Sequence, residues 1–365
     1  MNILVVTWLY APLSTPRATR WLGISEALAA IGHNVTVVTS RCGSAPVIIE
    51  KKNLTVVRVG SRLVGPGLSR LRAVQQSPSS SISSVFGRLA CLVNDTVWRR
   101  IYWPDKACLW RFSAIRHVRS LLSQHTWDGL ITVSLPFTAH LVGHAVREAC
   151  RARRWIVDVG DPFAIQSGAP PNNYRLYGDK NLRWELRILR AADAVAVTNT
   201  GMRRYYANMI GSCDKIHVIP PCAYMPAAAS DPNAETGVQP DAVRLLFPGT
   251  LYRQIRNPRF LIRLCRAAMK QHAVKCELHF VGDLNDCRPD IEAEAREVTF
   301  IHTRASMSRA ELIPTMRHAD VLVNIGNSTE YQLPSKLAEF LCLGKKVLNV
   351  TTRVDDCSAE FLKDY

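Results

Sequence analysis

Two continuous apolar runs, Asn2 to Thr7 (NILVVT) and Asn34 to Thr39 (NVTVVT), enclose a stretch, Arg17 to Ile31, whose apolar side chains recur at helical spacing. Trp21, Ile24, Ala27, Leu28 and Ile31 make one face of that stretch, and Gly32-His33 ends it. Such unbroken Val/Ile runs suit strands buried on both faces, and a crossover helix between them requires a parallel sheet. The spacing therefore predicts a βαβ opening and an α/β fold.

The same alternation continues. Strand-like runs lie at Leu54–Val59, Gly129–Val133, Trp155–Val159, Ala194–Thr198 and Ile216–Ile219, with helical patterns between most of them. Residues 61–103 break the rhythm with Ser/Arg/Gly/Pro-rich sequence, read as a long basic insertion, before Lys106–Gln124 resumes a helix. Met225 to Asp241 (MPAAASDPNAETGVQPD) has linker composition, with small residues, three prolines and no apolar face. After it the alternation restarts: strands at Arg244–Phe247, Glu277–Val281, Val298–Ile301, Val321–Asn324 and Lys346–Val350, helices at Asn257–Met269, Ser308–His318 and Pro334–Leu343. The 365 residues thus divide into a Rossmann-like domain 1–224, a linker 225–241 and a second Rossmann-like domain 242–365. Two such open sheets are expected to face a central cleft.

Hydrophobic residues at 47% and charged residues at 21% suffice for two cores and exclude a disordered or fibrous chain. No apolar run reaches the roughly 18 to 20 residues of a membrane-spanning helix, and Met1–Tyr10 lacks a basic leader region, so the expected location is cytoplasmic. Eleven scattered cysteines show no zinc-ligand spacing and are read as buried free thiols.

The formal net charge is +16, and all of it lies in residues 1–220, with 28 basic against 12 acidic side chains; residues 221–365 carry 18 of each. Residues 51–119 hold 13 Lys or Arg against only Asp95 and Asp105. So one-sided a charge implies an acidic partner: nucleic acid, anionic lipid or a phosphorylated substrate. No nucleic-acid-binding module accompanies it, which sets nucleic acid aside.

The run Gln332–Leu348 (QLPSKLAEFLCLGKKVL) delivers Pro334 to the first turn of a helix, leaving the amides of Ser335 and Lys336 at its positive end. Lys336 adds a charge there, and Glu339 on the next turn can accept hydrogen bonds from a diol such as ribose. A phosphate beside a ribose suggests a nucleotide.

This P-S-K-L-x-E-F-L-x-x-G-K-x-V-L pattern resembles the donor-site signature of family 4 glycosyltransferases, retaining sugar-nucleotide-dependent enzymes of the two-domain GT-B fold. Further landmarks follow in the family's order: Gly32–Thr39, W-P-D-x-x-x-x-W (Trp103–Trp110), S-x-P-F-x-x-H (Ser134–His140), Trp155–Phe163, Ala191–Thr198, Val218–Pro221 and Pro248–Pro258. The resemblance spans essentially the whole chain.

It implies that Arg253 and Arg256 hold the donor diphosphate together with Lys336, arginine gripping phosphate oxygens bidentately. Gly249 and Thr250 would admit the phosphates to the backbone, Pro334 and Ser335 belong to the donor loop, and Glu339 matches the ribose ligand. Glu330 stands nine positions before Glu339, one more than the family spacing for the glutamate that addresses the donor sugar. In the first domain the resemblance places His140 near the sugar's reacting carbon and Asp161, with Asp158, on the acceptor. Arg17 and Arg20 stand where relatives often have a Gly-Gly pair, in the sequence S-T-P-R-A-T-R, and are expected on the acceptor side.

The implied activity is transfer of a hexose-type sugar from a UDP- or GDP-sugar to a hydroxyl of a lipid-linked or polysaccharide acceptor in surface polysaccharide biosynthesis. With no Asp-x-Asp motif, no metal is expected. The basic first domain is expected to rest peripherally on the anionic inner face of the plasma membrane. A catalytically inactive GT-B homologue serving as a binding or partner subunit is the alternative. Relatives continue for several dozen residues beyond the G-K-x-V-L strand, so the second domain is expected to be truncated at its C-terminus.

Overall fold

A computed structural model describes residues 1–13, 15–61, 99–147, 152–165, 170–223, 242–351, 353–363 and 365. The insertion at 61–103 and the linker at 225–241 thus lie largely or wholly outside the described residues. The chain separates into two compact units, Met1–Ile219 and Pro220–Tyr365.

The first unit carries an eight-stranded sheet in the order β3-β4-β2-β1-β5-β6-β7-β8. Its strands are β1 (Asn2–Thr7), β2 (Asn34–Ser40), β3 (Ile48–Lys51), β4 (Leu54–Val59), β5 (Trp127–Val133), β6 (Ala152–Val159), β7 (Ala194–Val197) and β8 (Ile216–Val218). β1 pairs in parallel with β2 on one side and β5 on the other, so the strand order reverses beside it. Helix α1 (Pro16–Ala30) returns the chain from β1 to β2; Thr15 caps it by accepting from the Ala18 amide, and Pro16 sits in its first turn. Trp21 and Ala29 from α1 pack with Ile3, Val5, Val35 and Val37 in the core beneath it. The remaining helices of this unit are α2 (Arg99–Ile101), α3 (Trp110–Gln124), α4 (Thr138–Arg147), α5 (Tyr174–Ala191) and α6 (Thr200–Ile210).

The second unit holds β9 (Val243–Pro248), β10 (Cys276–Val281), β11 (Ile301–Arg304), β12 (Val321–Ile325) and β13 (Lys346–Val350) in the all-parallel order β11-β10-β9-β12-β13. Its helices are α7 (Arg259–His272), α8 (Arg288–Glu297), α9 (Arg309–His318), α10 (Lys336–Cys342) and α11 (Cys357–Phe361). One apolar layer packs α7 and α8 on the sheet through Leu261, Ile262 and Ile291, and a second packs α9 and α10 on the other face through Leu312, Met316 and Leu337. A Ser308–Glu311 capping box starts α9. Here too the order reverses, between β9 and β12. Open α/β sheets bind ligands at such reversals, beyond the carboxyl ends of the strands.

Several element boundaries differ from those the sequence pattern predicts. β3, which the sequence pattern does not mark, is an edge strand, Ile-Ile-Glu-Lys, paired antiparallel to β4 and mostly exposed. Helix α3 begins at Trp110 instead of Lys106, because Asp105 holds residues 105–110 in a turn: its carboxylate accepts from the Ala107 amide. The predicted strand at Val298–Ile301 starts at Ile301, since the Val298 amide still closes α8 onto Glu294. Of the described cysteines, all free, Cys42, Cys265, Cys276, Cys287 and Cys357 are buried, whereas Cys213, Cys222 and Cys342 are exposed, against the expectation of buried thiols. Among the described residues no helix is long and apolar enough to cross a membrane.

Candidate functional site

In the second unit the donor-side candidates gather at the reversal. The loop 249–258 leaves β9 and the loop 326–335 leaves β12, the two strands adjacent in the sheet. A hydrogen bond ties the loops together: Arg256 Nε donates to Asn327 Oδ1 at 2.6 Å. Asn327 is buried, and its Nδ2 donates in turn to the Gln332 carbonyl at 2.7 Å, closing the second loop on itself. Thr329 Oγ1 reaches Gln332 Oε1 at 3.1 Å in the same loop.

Helix α10 starts at Lys336, two residues later than Pro334, with Ser335 exposed before it and Pro334 buried. Lys336 lies half-buried among charges. Burial pushes its ammonium pKa down, Glu339 pulls it back up, and Arg256 pushes it down again. Lys336, Arg256 and Glu339 are thus close enough to feel one another's charge. Two cations held near each other with a single carboxylate beside them make an anion-binding arrangement.

Glu339 is also engaged from another direction, since Arg309 Nη2 at the start of α9 lies 3.0 Å from its Oε1. Arg253 does not join this group. Its backbone amide donates to Asp286 Oδ1, and its guanidinium donates to the Asp286 carbonyl and pairs with Asp290, both contacts at about 3 Å. Glu330 lies beside Tyr331 and Arg353: the Tyr331 pKa is raised by burial and then by Glu330, that of Arg353 first by Asp355 and more weakly by Glu330. Gly249 directly follows β9, its amide donating to the Val281 carbonyl, and Thr250 comes next, half-buried.

In the first unit the candidates collect at the carboxyl ends of β5 and β6 and the start of α1. Asp158 at the end of β6 is buried and fully occupied: Trp21 Nε1 donates to it at 2.7 Å, Arg20 Nη2 lies at 3.4 Å and Arg17 Nη1 at 3.7 Å. Arg20 is itself buried and also donates to the Ile219 carbonyl at 3.2 Å. Asp158 and Arg20 therefore brace the β1–α1 loop against β6. Arg17 is more open, and its guanidinium rests on Gly160, where a Cβ would meet Nη2 at 1.0 Å.

His140, in the first turn of α4, is 1% exposed. Thr132 accepts from Trp155 Nε1 at 3.0 Å, which leaves its hydroxyl proton to donate to His140 Nδ1 at 2.8 Å. That assignment places the imidazole proton on Nε2, a buried atom with no partner among the described residues. His140 also lines a small cavity with Ser134, Phe137, Phe163 and Glu185 among others. Burial, with Arg17 adding to it, pushes the His140 pKa down to about 3, so the ring is neutral across the physiological range.

Two buried carboxylates that sequence reasoning did not single out hold this geometry. Asp105, from the W-P-D motif, accepts from the Thr138 amide at 2.9 Å and the Thr138 hydroxyl at 2.7 Å, fixing the start of α4 two residues before His140. Glu185 accepts from the amides of Phe163 and Ala164 and from the Tyr206 hydroxyl, fixing the loop that carries Asp161. Asp161 stays half-buried, and its charge contributes to the raised Tyr206 pKa, behind burial and Glu185. The signal for Asp105 was present, a proline-flanked acid in an otherwise basic segment. For Glu185 and Arg309 the sequence gives no sign, because each acts on a segment distant along the chain.

A model of the glycosyl transferase 4-like domain matches residues 18–222. Among solved structures, a sucrose-phosphate synthase from Thermosynechococcus elongatus aligns over 95% of this chain and 80% of its own, with a TM-score of 0.60 and 17% identity. An α,α-trehalose 6-phosphate synthase from Burkholderia multivorans aligns over 99% and 84%, with a TM-score of 0.61 and 14% identity. HepE of Anabaena, solved in complex with UDP-glucose, aligns over 96% and 80%, with a TM-score of 0.50 and 12% identity. At such identities these likenesses show the fold, two parallel-sheet units of the GT-B type. No curated protein matches by sequence.

Proposed function

Because the chain belongs to the glycosyl transferase 4-like family and is a GT-B glycosyltransferase, we propose that it transfers a hexose-type sugar, with retention, from a nucleoside-diphosphate donor. The acceptor is a hydroxyl of a lipid-linked or polysaccharide substrate in surface polysaccharide biosynthesis. The observation that carries the donor reading is the Arg256–Asn327 bond, which aims one cation over the β9–β12 reversal beside Lys336 and Glu339. HepE, a structural neighbour, was solved with UDP-glucose, which supports a UDP- or GDP-sugar here.

In this reading Arg256 and Lys336 take the diphosphate, Glu339 takes the ribose, and Gly249, Thr250, Pro334 and Ser335 line the phosphate path. Glu330 addresses the donor sugar from the far end of the same loop, and Arg253 holds the β9 loop in place through Asp286 and Asp290. The C1–O bond to phosphate breaks, and the two cations stabilise the charge left on the diphosphate. The acceptor oxygen bonds to C1 on the same face, its proton passing to the departing phosphate oxygen. The first unit supplies the acceptor groups, Asp161 and Arg17 with Arg20 and Asp158 behind them, and His140 serves the reacting carbon as a neutral donor through Nε2. Catalysis is then positioning plus electrostatics.

An anionic membrane surface fits the first unit. Ile101, Leu109, Phe112, Tyr174 and Leu176 are exposed apolar side chains. They are interleaved with Arg100, Lys106, Arg111, Arg116 and Arg175. α2 and α5 meet here through the bond from the Tyr177 hydroxyl to the Ile101 carbonyl, and Lys180 lies near Arg111 and Arg183. Apolar side chains ringed by cations suit the headgroup layer. Residues 62–98 of the basic segment lie outside the described residues.

The test is a panel of UDP- and GDP-sugars screened by thermal shift, followed by transfer assays on the donor that binds. Arg256→Ala and Lys336→Ala should each lose turnover at least about a hundredfold, the range for removing a group that stabilises developing charge. Full turnover in both variants overturns the assignment, and donor binding without transfer by the parent chain selects the inactive binding subunit.

A further inference from the structure

We propose that Glu277, His279 and His302 form a zinc-type divalent metal site on the face of the second unit's sheet that α7 and α8 do not cover. Alternation along β10 places two of them, and the paired strand β11 supplies the third. Leu278 and Phe280 pack with Ile301 of β11 into the core beneath α7 and α8, so Glu277 and His279, the intervening residues, project from the other face. Val281, on that other face, indeed packs with Leu312 and Met316 of α9. His279 stands in register opposite His302, so one neighbour lies along the strand and the other across it.

The side chains have already converged. His279 Nε2 lies 3.2 Å from Glu277 Oε2, and the two imidazole rings stack with centroids 4.6 Å apart and planes 21° apart. One ligand atom from each residue lies within 4.8 Å of the other two, and all three side chains are half-buried. A tetrahedral ion with bonds of about 2.1 Å needs its donors about 3.4 Å apart, a distance that small side-chain rotations supply while the paired strands hold the backbone. Two imidazoles and one carboxylate on a rigid sheet are a borderline-soft donor set, suited to zinc and leaving a fourth position for water. Arg244 Nε lies 3.8 Å from Glu277 Oε2, and Arg304 is close enough to act on His279. These cations oppose a dication, so affinity should fall short of a four-ligand structural site. β9 separates this cluster from β12 and the donor loops, so the proposal stands whether or not the donor assignment holds.

The test uses the full chain stripped with chelator and titrated with Zn2+ by calorimetry. The expected result is one equivalent bound with a raised melting temperature. In the His279→Ala/His302→Ala double variant, the affinity of that equivalent should fall at least about tenfold, with an unchanged circular dichroism spectrum. Zinc X-ray absorption on the unmutated protein gives a readout that needs no variant: two imidazole ligands with oxygen and no sulfur. Sulfur in that spectrum, pointing to the exposed Cys213, Cys222 or Cys342, overturns the site, as does equal binding by the double variant or no binding by the parent chain.

Discussion

Arg256 and Asn327 lie 71 positions apart in sequence, yet Nε of one donates to Oδ1 of the other at 2.6 Å. The bond joins the loops after β9 and β12, and its acceptor is itself fixed by the Gln332 carbonyl. Holding the guanidinium through Nε fixes its orientation, which lowers the entropy lost when phosphate binds.

Asn327→Ala should therefore weaken nucleoside-diphosphate binding by about tenfold, equivalent to about 1.4 kcal/mol, although Asn327 need touch no ligand. Calorimetry with UDP and GDP checks this. An unchanged affinity shows that Arg256 is aimed by something else.

Gly326 tolerates no side chain. A Cβ there would fall 2.0 Å from Asp356 Oδ2, and Asp356 cannot retreat because its other oxygen caps α11 through the Ser358 amide at 2.6 Å. Gly326→Ala should destabilise the second unit by about 1 to 3 kcal/mol, read as a lower melting temperature.

His140 makes stability depend on pH in a defined direction. Its folded pKa, about 3, lies below the usual 6.5, so the unfolded chain takes up the proton first as pH falls. Stability contributed by the neutral ring is present above pH 6.5 and is lost progressively from about 6.5 toward 3. Asp105 and Glu185 shift upward through burial and act with the opposite sign, losing stability as pH rises through their folded values. The difference between parent and His140→Gln isolates the histidine. Urea midpoints at pH 7 and pH 4 should show a shallower acid loss in the variant.

Asp105→Ala leaves the Ala107 and Thr138 amides and the Thr138 hydroxyl without their acceptor inside the protein. A cost of about 3 kcal/mol is expected, since each buried unsatisfied donor forfeits its desolvation. Chemical denaturation measures it.

Phe112→Ser combined with Arg116→Ser should abolish co-sedimentation with anionic vesicles at low salt and leave the fold intact, both residues being exposed on α3. Equal binding by parent and variant, or parent binding that ignores vesicle charge, refutes the membrane surface.

The strand and helix alternation was legible because buried parallel strands must be apolar throughout, and because each crossover helix leaves a face of period 3.6. NILVVT, NVTVVT and the Gln332–Leu348 run therefore announced themselves. Edge strand β3 did not, since a strand exposed on one side and paired on the other has no need of apolar residues. Lys336, Glu339, Arg256 and His140 could be marked from their motifs, but the partners that tune them could not. Asn327, Arg309, Thr132, Asp105 and Glu185 act across gaps in sequence that only folding closes.

By itself the sequence determined the local matters: where most strands and helices lie, where the charge lies, and which residues stand in motifs as candidates for a site. Tertiary structure alone decided which of those residues meet. It sends Arg253 to Asp290 and Arg256 to Asn327, turns Asp158 into a brace for Arg17, Arg20 and Trp21, and sets His279 against His302. The physical reason is that charge pairing and burial depend on distance in space. Strand order, which brings β9 beside β12 and β10 beside β11, fixes that distance independently of separation along the chain.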